Sequence, residues 1–393
     1  MNETYKIVSQ VPDGHPVPEY LHPGHARQVR EFHATIPGYV PTPLVSLRDT
    51  AKELGVAKIW VKDESKRFGL NAFKVLGGSY AMGKLLQRRL GLETVDFSLL
   101  TAPETRKRLG DITFVTATDG NHGRGVAWSA AQLGQKSVVY MPSGSAKERL
   151  ENIRALGSDA SIIDGNYDDA VRLAAKQGAE KGWLLVQDTA WEGYEVIPQW
   201  IMEGYCTMGL EALEQLEEAP THIFLQAGVG SMAGAMAGLF TAGLKEKPTI
   251  VIVEPNKADC IFRTAEADDG KLHTVTGAMD TIMAGLACGE PCSLGWKVLK
   301  NTAEHFLSCP DSAAAYGMRI LGNPAGSDSR IISGESGAAA FGCAASILRD
   351  PNLRQMKEAL GLNENSRLLF ISTEGDTDRE NYRAITWEGR FSK

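Results

Sequence analysis

The sequence predicts an α/β fold with mostly parallel sheets that are covered by helices on both faces. From residue 57 onward, short runs rich in valine and isoleucine alternate with longer segments whose apolar residues recur every three or four positions. The short runs are continuously apolar, which is typical of parallel strands buried on both faces. With 393 residues, the chain is also long enough for two domains.

The apolar runs define eight predicted strands. They cover residues 57–63, 112–118, 136–141, 160–164, 183–188, 221–227, 249–255 and 367–373. The helical period is clear in segments 146–157 and 167–182, which lie between predicted strands. The first forty residues contain five prolines, and we expect them to form an extended arm.

Composition and charge limit the classes of partner. Hydrophobic residues make up 43% of the chain and charged residues 23%, as in an ordinary globular protein. The net charge is −7 and no basic block occurs, which argues against nucleic acid or an acidic membrane surface as a partner. No apolar run approaches the roughly 20 residues of a membrane span, and MNETYKIVSQ does not resemble a signal peptide. We therefore expect a soluble, cytoplasmic protein.

The six cysteines show no paired CxxC spacing, and we expect no metal site. Buried thiols are the simpler interpretation. A disulfide within residues 260–292 stays open, although disulfides are uncommon in a reducing cytosol.

Four predicted strands end in loops rich in glycine or small polar residues. The loops are TDGNHG (118–123), QDTAW (187–191), QAGVGS (226–231) and STEGD (372–376). Ligands of open parallel sheets bind outside the carboxyl ends of the strands. We therefore expect these distant segments to meet at one ligand site.

The segment QAGVGSMAG (226–234) has the pattern of an anion site. A strand ends, Gly228 and Gly230 turn the chain, and a predicted helix begins. The free N–H groups and the dipole at that helix start would hold a phosphate. Glu254 ends the next strand, where a ribose-binding acid would lie, so binding of a nicotinamide cofactor is one alternative. A tight turn without a ligand is another.

Lys74 lies among apolar residues in NAFKVLGGS (71–79). Such a lysine is usually a surface residue whose stem packs on its neighbours. A desolvated lysine instead has a lowered pKa and becomes a nucleophilic amine. A phosphate cradle together with such an amine is what pyridoxal 5′-phosphate requires, since its aldehyde binds a lysine.

Several motifs in this order resemble those of fold-type II pyridoxal-phosphate enzymes, which include the threonine and serine dehydratases. They are TPL (42–44), KDES (62–65), FK with a following glycine pair (73–78), GNHGRG (120–125), GVGS (228–231) and ST (372–373). The resemblance to diaminopropionate ammonia-lyases is closer still. It rests on NAFKVLGGS, TATDGNHGRG, QDTAW with the following GY, and SGESGAAA.

The resemblance implies a two-domain architecture and a homodimer. The large cofactor-binding domain would comprise residues 1–85 and 200–393, with a small domain, 86–199, inserted in it. Lys74 would bind the cofactor aldehyde and Asn121 its ring 3′ oxygen. Ser372 or Thr373 would face the pyridine nitrogen. The phosphate would be wrapped by Gly228, Val229, Gly230, Ser231 and Met232.

Asp119 and Asp188 are the other candidate catalytic residues. Dehydratases usually have a serine at the position of Asp119, and a Gly-Ser pair where this chain has Asn71 and Ala72. A carboxylate suits a substrate whose β-carbon carries an ammonium, although either aspartate could serve only as a turn or cap residue. If two acids face one cavity, the pKa of one should rise.

The implied reaction is an α,β-elimination that converts 2,3-diaminopropionate and water to pyruvate and two ammonia. The family accepts D and L substrates, which suggests Lys74 as the base on one face of the cofactor and Asp119 on the other. A serine/threonine dehydratase or a D-cysteine desulfhydrase is the alternative within the superfamily. A cofactor-binding regulator without turnover is the alternative from another class.

Overall fold

The computed structural model describes residues 4–94, 96–118 and 120–392, and these form two sheets surrounded by helices. The strands are β1 Lys6–Ser9, β2 Leu44–Ser46, β3 Lys58–Asp63, β4 Thr113–Ala117, β5 Lys136–Met141, β6 Asp159–Ile162, β7 Leu184–Leu185, β8 His222–Gln226, β9 Thr249–Pro255, β10 His305–Cys309 and β11 Arg367–Ser372.

Sixteen α-helices are found in the same residues. They are α1 Pro23–Ala34, α2 Arg48–Leu54, α3 Val75–Leu90, α4 Phe97–Thr101, α5 Pro103–Leu109, α6 Asn121–Gln132, α7 Lys147–Arg154, α8 Tyr167–Lys181, α9 Val196–Gln215, α10 Ser231–Gly243, α11 Cys260–Ala267, α12 Ser293–Thr302, α13 Asp311–Gly322, α14 Glu335–Arg349, α15 Arg354–Ala359 and α16 Arg379–Thr386. Short 3-10 helices cover Glu19–Leu21, Glu64–Gly69, Ala284–Leu286 and Pro351–Leu353. Within the described ranges, no helix combines the length and apolar character of a membrane span.

The larger sheet has the strand order β1-β10-β9-β8-β11-β3-β2. Its five inner strands are parallel, and the edge strands β1 and β2 pair antiparallel to their neighbours. The smaller sheet, β6-β5-β4-β7, is entirely parallel. Its strands all come from residues 113–185, whereas the larger sheet uses strands before and after them. The expected domain limits stay a prediction.

All eight predicted strands are confirmed, and the fold class is the expected one. The sequence analysis missed β1, β2 and β10. Strands β1 and β2 are short edge strands with half-exposed side chains, so they lack the apolar run that marks a buried strand.

The expected extended arm at the N-terminus is wrong, because residues 23–34 form α1. Pro23 occupies the first turn, where a missing N–H costs nothing, so this proline starts the helix. Ala26, Val29 and Phe32 recur on one face and are buried. The prolines around α1 masked this periodicity in the sequence.

Helix α9 packs against the start of α3, which lies directly after Lys74. It is buried along most of its length and packs against α1, α3 and α10. The helices approach closely because Gly204 has no side chain: a Cβ there would lie 2.5 Å from the carbonyl oxygen of Leu76. The position of Lys74 therefore depends on a tight helix–helix contact.

All six cysteines are buried free thiols, as expected.

A buried ion cluster fixes α9 to β3 and the turn after it. The Glu211 carboxylate accepts hydrogen bonds from Lys62 Nζ at 2.7 Å and from Arg67 Nη2 at 2.8 Å. Arg67 Nε also donates to Glu64 at 2.9 Å. Burial alone would raise the pKa of Glu211, but Arg67 and Lys62 outweigh burial and lower it to about 2. The Glu211 carboxylate is therefore ionised at neutral pH.

We expect Glu211→Gln to destabilise the protein strongly. The change leaves the buried cations of Lys62 and Arg67 facing one carboxylate, that of Glu64. Breaking a buried ion pair from one side costs about 3–5 kcal/mol, and denaturant titration would measure the loss in free energy of unfolding.

Glu214→Gln is the matched control on the same helix. Glu214 pairs with Arg30, but nearly half of its side chain is exposed, so we expect a loss of only about 0–1 kcal/mol. Equal losses for the two variants would contradict the assignment of Glu211 as the centre of the cluster.

Candidate functional site

The four glycine-rich or small-polar junctions meet at one cleft, as the sequence predicts. The cleft holds about 650 Å³, including its open mouth. Each junction contributes to its lining, which includes Thr118, Asn121, His122, Asp188, Gln226, Gly228, Val229, Gly230, Ser231, Met232, Thr373 and Glu374. Lys74 and Phe73 line it as well, from the start of α3.

Lys74 forms an ion pair with Asp188 inside this cleft. Lys74 immediately precedes α3, and its side chain keeps 17% exposure, whereas that of Asp188 keeps 3%. Burial alone would raise the pKa of Asp188, but the charges of Lys74 and His122 and the hydrogen bonds from Lys74 and Tyr167 hold it far below its usual range. Asp188 is therefore anionic, and the expected raised pKa is not found there. Asp119 lies outside the described residues.

Two aromatic side chains support the Asp188 carboxylate. The Tyr167 hydroxyl donates to Asp188 Oδ1 at 3.1 Å and accepts from Gln187 Nε2 at 2.8 Å. Burial and then the charge of Asp188 raise the pKa of Tyr167 well above its usual value, so this hydroxyl stays a donor. His122 Nε2 donates to the carbonyl oxygen of Val186 at 2.8 Å, and its Nδ1 lies 3.8 Å from Asp188 Oδ2.

Neither His122 nor Tyr167 is among the catalytic residues predicted from the sequence. His122 could have been found from its place in the GNHGRG junction, but α8, which carries Tyr167, follows a different strand. Only the three-dimensional structure brings Tyr167 to Asp188.

The loop 228–230 forms a close-fitting turn before α10. Gly230 has φ +95°, which favours glycine, and a Cβ on Gly228 would lie 3.2 Å from Cys288 Sγ and from the Gly285 carbonyl oxygen. The Ser231 hydroxyl donates to the backbone oxygen of Asp188 at 2.6 Å. The first N–H groups of a helix have no partner within it, and the first residues of α10 line the cleft. This turn can therefore bind an anion.

Thr373 lines the cleft, whereas Ser372 does not. The Thr373 hydroxyl accepts a hydrogen bond from Gln226 Nε2 at 3.0 Å. The Ser372 hydroxyl lies within hydrogen-bond distance of Ser333 Oγ, at 2.8 Å. Consecutive residues of an extended chain point to opposite sides, so one of the two can face the cleft.

Glu254 does not line the cleft. Its carboxylate is buried and accepts the backbone N–H groups of Ile261 at 2.9 Å and Phe262 at 2.6 Å, at the start of α11. The nicotinamide interpretation relied on this acid and loses its support.

Glu374 is a residue of the cleft that the sequence analysis did not single out. It is 1% exposed, and its Oε2 accepts a hydrogen bond from Asn121 Nδ2 at 2.5 Å. The backbone N–H of Ser336 donates to its Oε1 at 3.1 Å, and the Thr377 hydroxyl donates to its Oε2 at 3.0 Å. Its place in the junction STEGD was the only signal in the sequence.

The residues of the cleft fit pyridoxal phosphate. The turn before α10 offers N–H groups to a phosphate, and side chains at its glycines would fill the space. Lys74 brings a primary amine to the same cleft, and Thr373 brings a hydroxyl. The cleft thus supplies an anion site, an amine for an aldehyde and a partner for a ring nitrogen.

Comparisons with known proteins agree with this chemistry. A family model described as pyridoxal-phosphate dependent enzyme matches residues 35–373. Diaminopropionate ammonia-lyase of Escherichia coli (strain K12) is 54% identical over 374 residues, covering 93% of this chain and 92% of that protein.

Two solved structures are similar over nearly the whole chain. Selenomethionine-incorporated holo diaminopropionate ammonia-lyase from Escherichia coli has a TM-score of 0.93 and 48% identity, covering 100% of this chain and 99% of that one. The same enzyme in complex with an aminoacrylate-PLP azomethine reaction intermediate has a TM-score of 0.91 at 48% identity and the same coverage. The chain therefore belongs to the pyridoxal-phosphate dependent enzymes and, within them, to the family of the diaminopropionate ammonia-lyases.

Proposed function

We propose that this chain catalyses the α,β-elimination of ammonia from 2,3-diaminopropionate, and that water then converts the remaining fragment to pyruvate and a second ammonia. The observation that carries this proposal is the Lys74 amine, which faces the buried, ionised Asp188 in the cleft of the anion-binding turn. The relatives named diaminopropionate ammonia-lyase support it, and so does the solved complex of one of them with aminoacrylate-PLP.

In this proposal, Lys74 holds the cofactor aldehyde and the backbone of residues 228–232 holds the phosphate. When bound, pyridoxal phosphate supplies a conjugated ring that delocalises the negative charge left at the substrate α-carbon. Thr373 is the partner of the pyridine nitrogen. Because Gln226 donates to its oxygen, the Thr373 hydroxyl can direct its own proton toward the ring nitrogen.

Asp188 gives the site its preference for a diamino acid. A substrate with a β-ammonium brings a further cation to this buried carboxylate, whereas the neutral hydroxyl of serine or threonine brings none. The low pKa of Asp188 keeps it ionised, so it stabilises the protonated β-amine rather than donating a proton. A protonated amine leaves as neutral ammonia and needs no further proton.

We also propose that the enzyme acts on both D and L substrates. The two enantiomers present the α-proton to opposite faces of the cofactor, so two bases are needed. Lys74 serves one face and Asp119 the other. We also propose that the protein forms a homodimer, as the resemblance suggests, and that it is located in the cytoplasm, as the composition suggests.

The central prediction concerns Lys74 and the substrate. Purified protein with added pyridoxal phosphate should show a visible absorption band, and borohydride should fix the cofactor to the peptide that contains Lys74. Ammonia should form faster from 2,3-diaminopropionate, together with pyruvate, than it forms from serine, threonine or D-cysteine.

Lys74→Ala should lose the fixed label and turnover, while Lys66→Ala, at an exposed lysine nearby, should keep both. A protein that stays colourless with the cofactor would rule out the cofactor assignment. Faster release of ammonia from serine, threonine or D-cysteine than from 2,3-diaminopropionate would instead favour the alternative dehydratase or desulfhydrase activity.

A second prediction separates Thr373 from Ser372. Thr373→Val removes the proposed partner of the pyridine nitrogen, and losing one hydrogen bond of about 1–1.5 kcal/mol corresponds to a roughly tenfold fall in kcat. Ser372→Ala breaks a contact with Ser333 outside the cleft and should leave kcat within about twofold. The reverse order in steady-state kinetics would assign the role to Ser372.

A third prediction tests the two bases. Asp119→Asn keeps the size of the side chain but removes the base, so activity on one enantiomer should fall at least about a hundredfold more than on the other. Rates measured separately on D- and L-2,3-diaminopropionate check this. An equal loss on both would refute the assignment of one base to each face.

A further inference from the structure

Glu374 connects two parts of the cleft that come from different sheets. It follows β11 of the larger sheet, whereas Asn121 is the first residue of α6, which follows β4 of the smaller sheet. The bond from Asn121 Nδ2 to Glu374 Oε2 joins them at 2.5 Å. Glu374 is placed where it can control the direction of the Asn121 amide.

We propose that Glu374 is a positioning residue that holds the Asn121 amide with its nitrogen toward the cofactor 3′ oxygen. The inference rests on the proposed placement of the cofactor on Lys74. An amide nitrogen carries two hydrogens, so Asn121 can donate one to Glu374 and the other into the cleft. Without Glu374, the amide can turn and present its oxygen, which an anionic 3′ oxygen repels.

The surroundings of Glu374 hold its carboxylate in one place. A Cβ on Gly334 would lie 3.1 Å from its Cγ, so α14 begins in close contact with its side chain. Arg149 Nη2 lies 3.9 Å from Oε2 and balances the buried negative charge. Glu335 is the neighbouring acid, and burial followed by the charge of Glu374 raises the pKa of Glu335 to about 7. Such a restrained acceptor can select one orientation of an amide.

The substitution Glu374→Gln should turn the Asn121 amide. The Ser336 N–H belongs to the backbone and cannot turn, so the new amide must keep its oxygen toward Ser336. Its NH₂ group then takes the place of Oε2 and faces the Asn121 nitrogen. Two donors cannot pair, and Asn121 would rotate to bring its oxygen there. The Asn121 nitrogen then leaves the position from which it donates to the 3′ oxygen.

The test is a pH titration of the visible band of the Lys74-bound cofactor. A donor at the 3′ oxygen stabilises the anionic oxygen and so favours loss of the proton that this oxygen shares with Lys74 Nζ. Loss of that donor should raise the pKa of the band by about one to two pH units, the size of one charge-assisted hydrogen bond. Loss of the Glu374 charge by itself would instead lower the pKa of the band, because removing a nearby anion disfavours the protonated form of the Lys74-bound cofactor.

Three further variants make the test specific. Glu374→Asp keeps the charge but withdraws it from Asn121, and it should give the same rise. Glu335→Gln removes a neighbouring acid that pairs with Asn381, and it should give no rise. In an Asn121→Ala background, Glu374→Gln should produce no further rise, because the residue through which it acts is gone.

A lowered or unchanged pKa in both Glu374 variants would overturn the inference, as would a rise that persists in the Asn121→Ala background. These outcomes differ from failure of the proposed function. If the cofactor does not bind Lys74, no titratable band exists in the unchanged protein. If the band exists but the substrate assignment is wrong, the titration still reports on Glu374 and Asn121.

Discussion

The ion pair between Lys74 and Asp188 is the contact on which the rest of the site depends. Asp188 follows β7 of the smaller sheet, whereas Lys74 follows Phe73, whose backbone N–H donates to the carbonyl oxygen of Thr373, directly after β11 of the larger sheet. Neither charge is stable alone in such a buried position, so the pair forms when both sheets are in place. The backbone of Asp188 also accepts the Ser231 hydroxyl, which ties the anion-binding turn to the same point.

Comparison with the buried lysine Lys62 shows what makes Lys74 suited to chemistry. Lys62 also contacts a buried carboxylate, but its three donors are used by Glu211, Thr42 and Gln215, and its side chain is completely buried. Lys74 has a similar ionic partner and yet lines a cavity. Access to a ligand, rather than ion pairing, therefore separates a reactive lysine from a structural one.

The sequence could predict features that are local in the chain, such as the eight strands, the loops that follow them and the glycine turn before α10. It could not predict features that depend on contacts between distant segments. Whether Ser372 or Thr373 faces the cleft depends on where Ser333 and Gln226 lie. The pKa of Asp188 depends on Lys74, which lies more than a hundred residues earlier in the chain. The role proposed for Glu374 likewise depends on its hydrogen bond with the distant Asn121.

The cleft presents groups of opposite charge, and this combination links the cofactor to the substrate. The start of α10 presents N–H groups and the positive end of a helix dipole, which suit a phosphate. Asp188 presents a buried negative charge that Tyr167 and Lys74 maintain. A ligand with an anionic group at one end and an ammonium at the other satisfies both without burying an unpaired charge. A cofactor phosphate and the β-ammonium of a diamino acid together meet this condition, whereas a hydroxy amino acid meets only half of it.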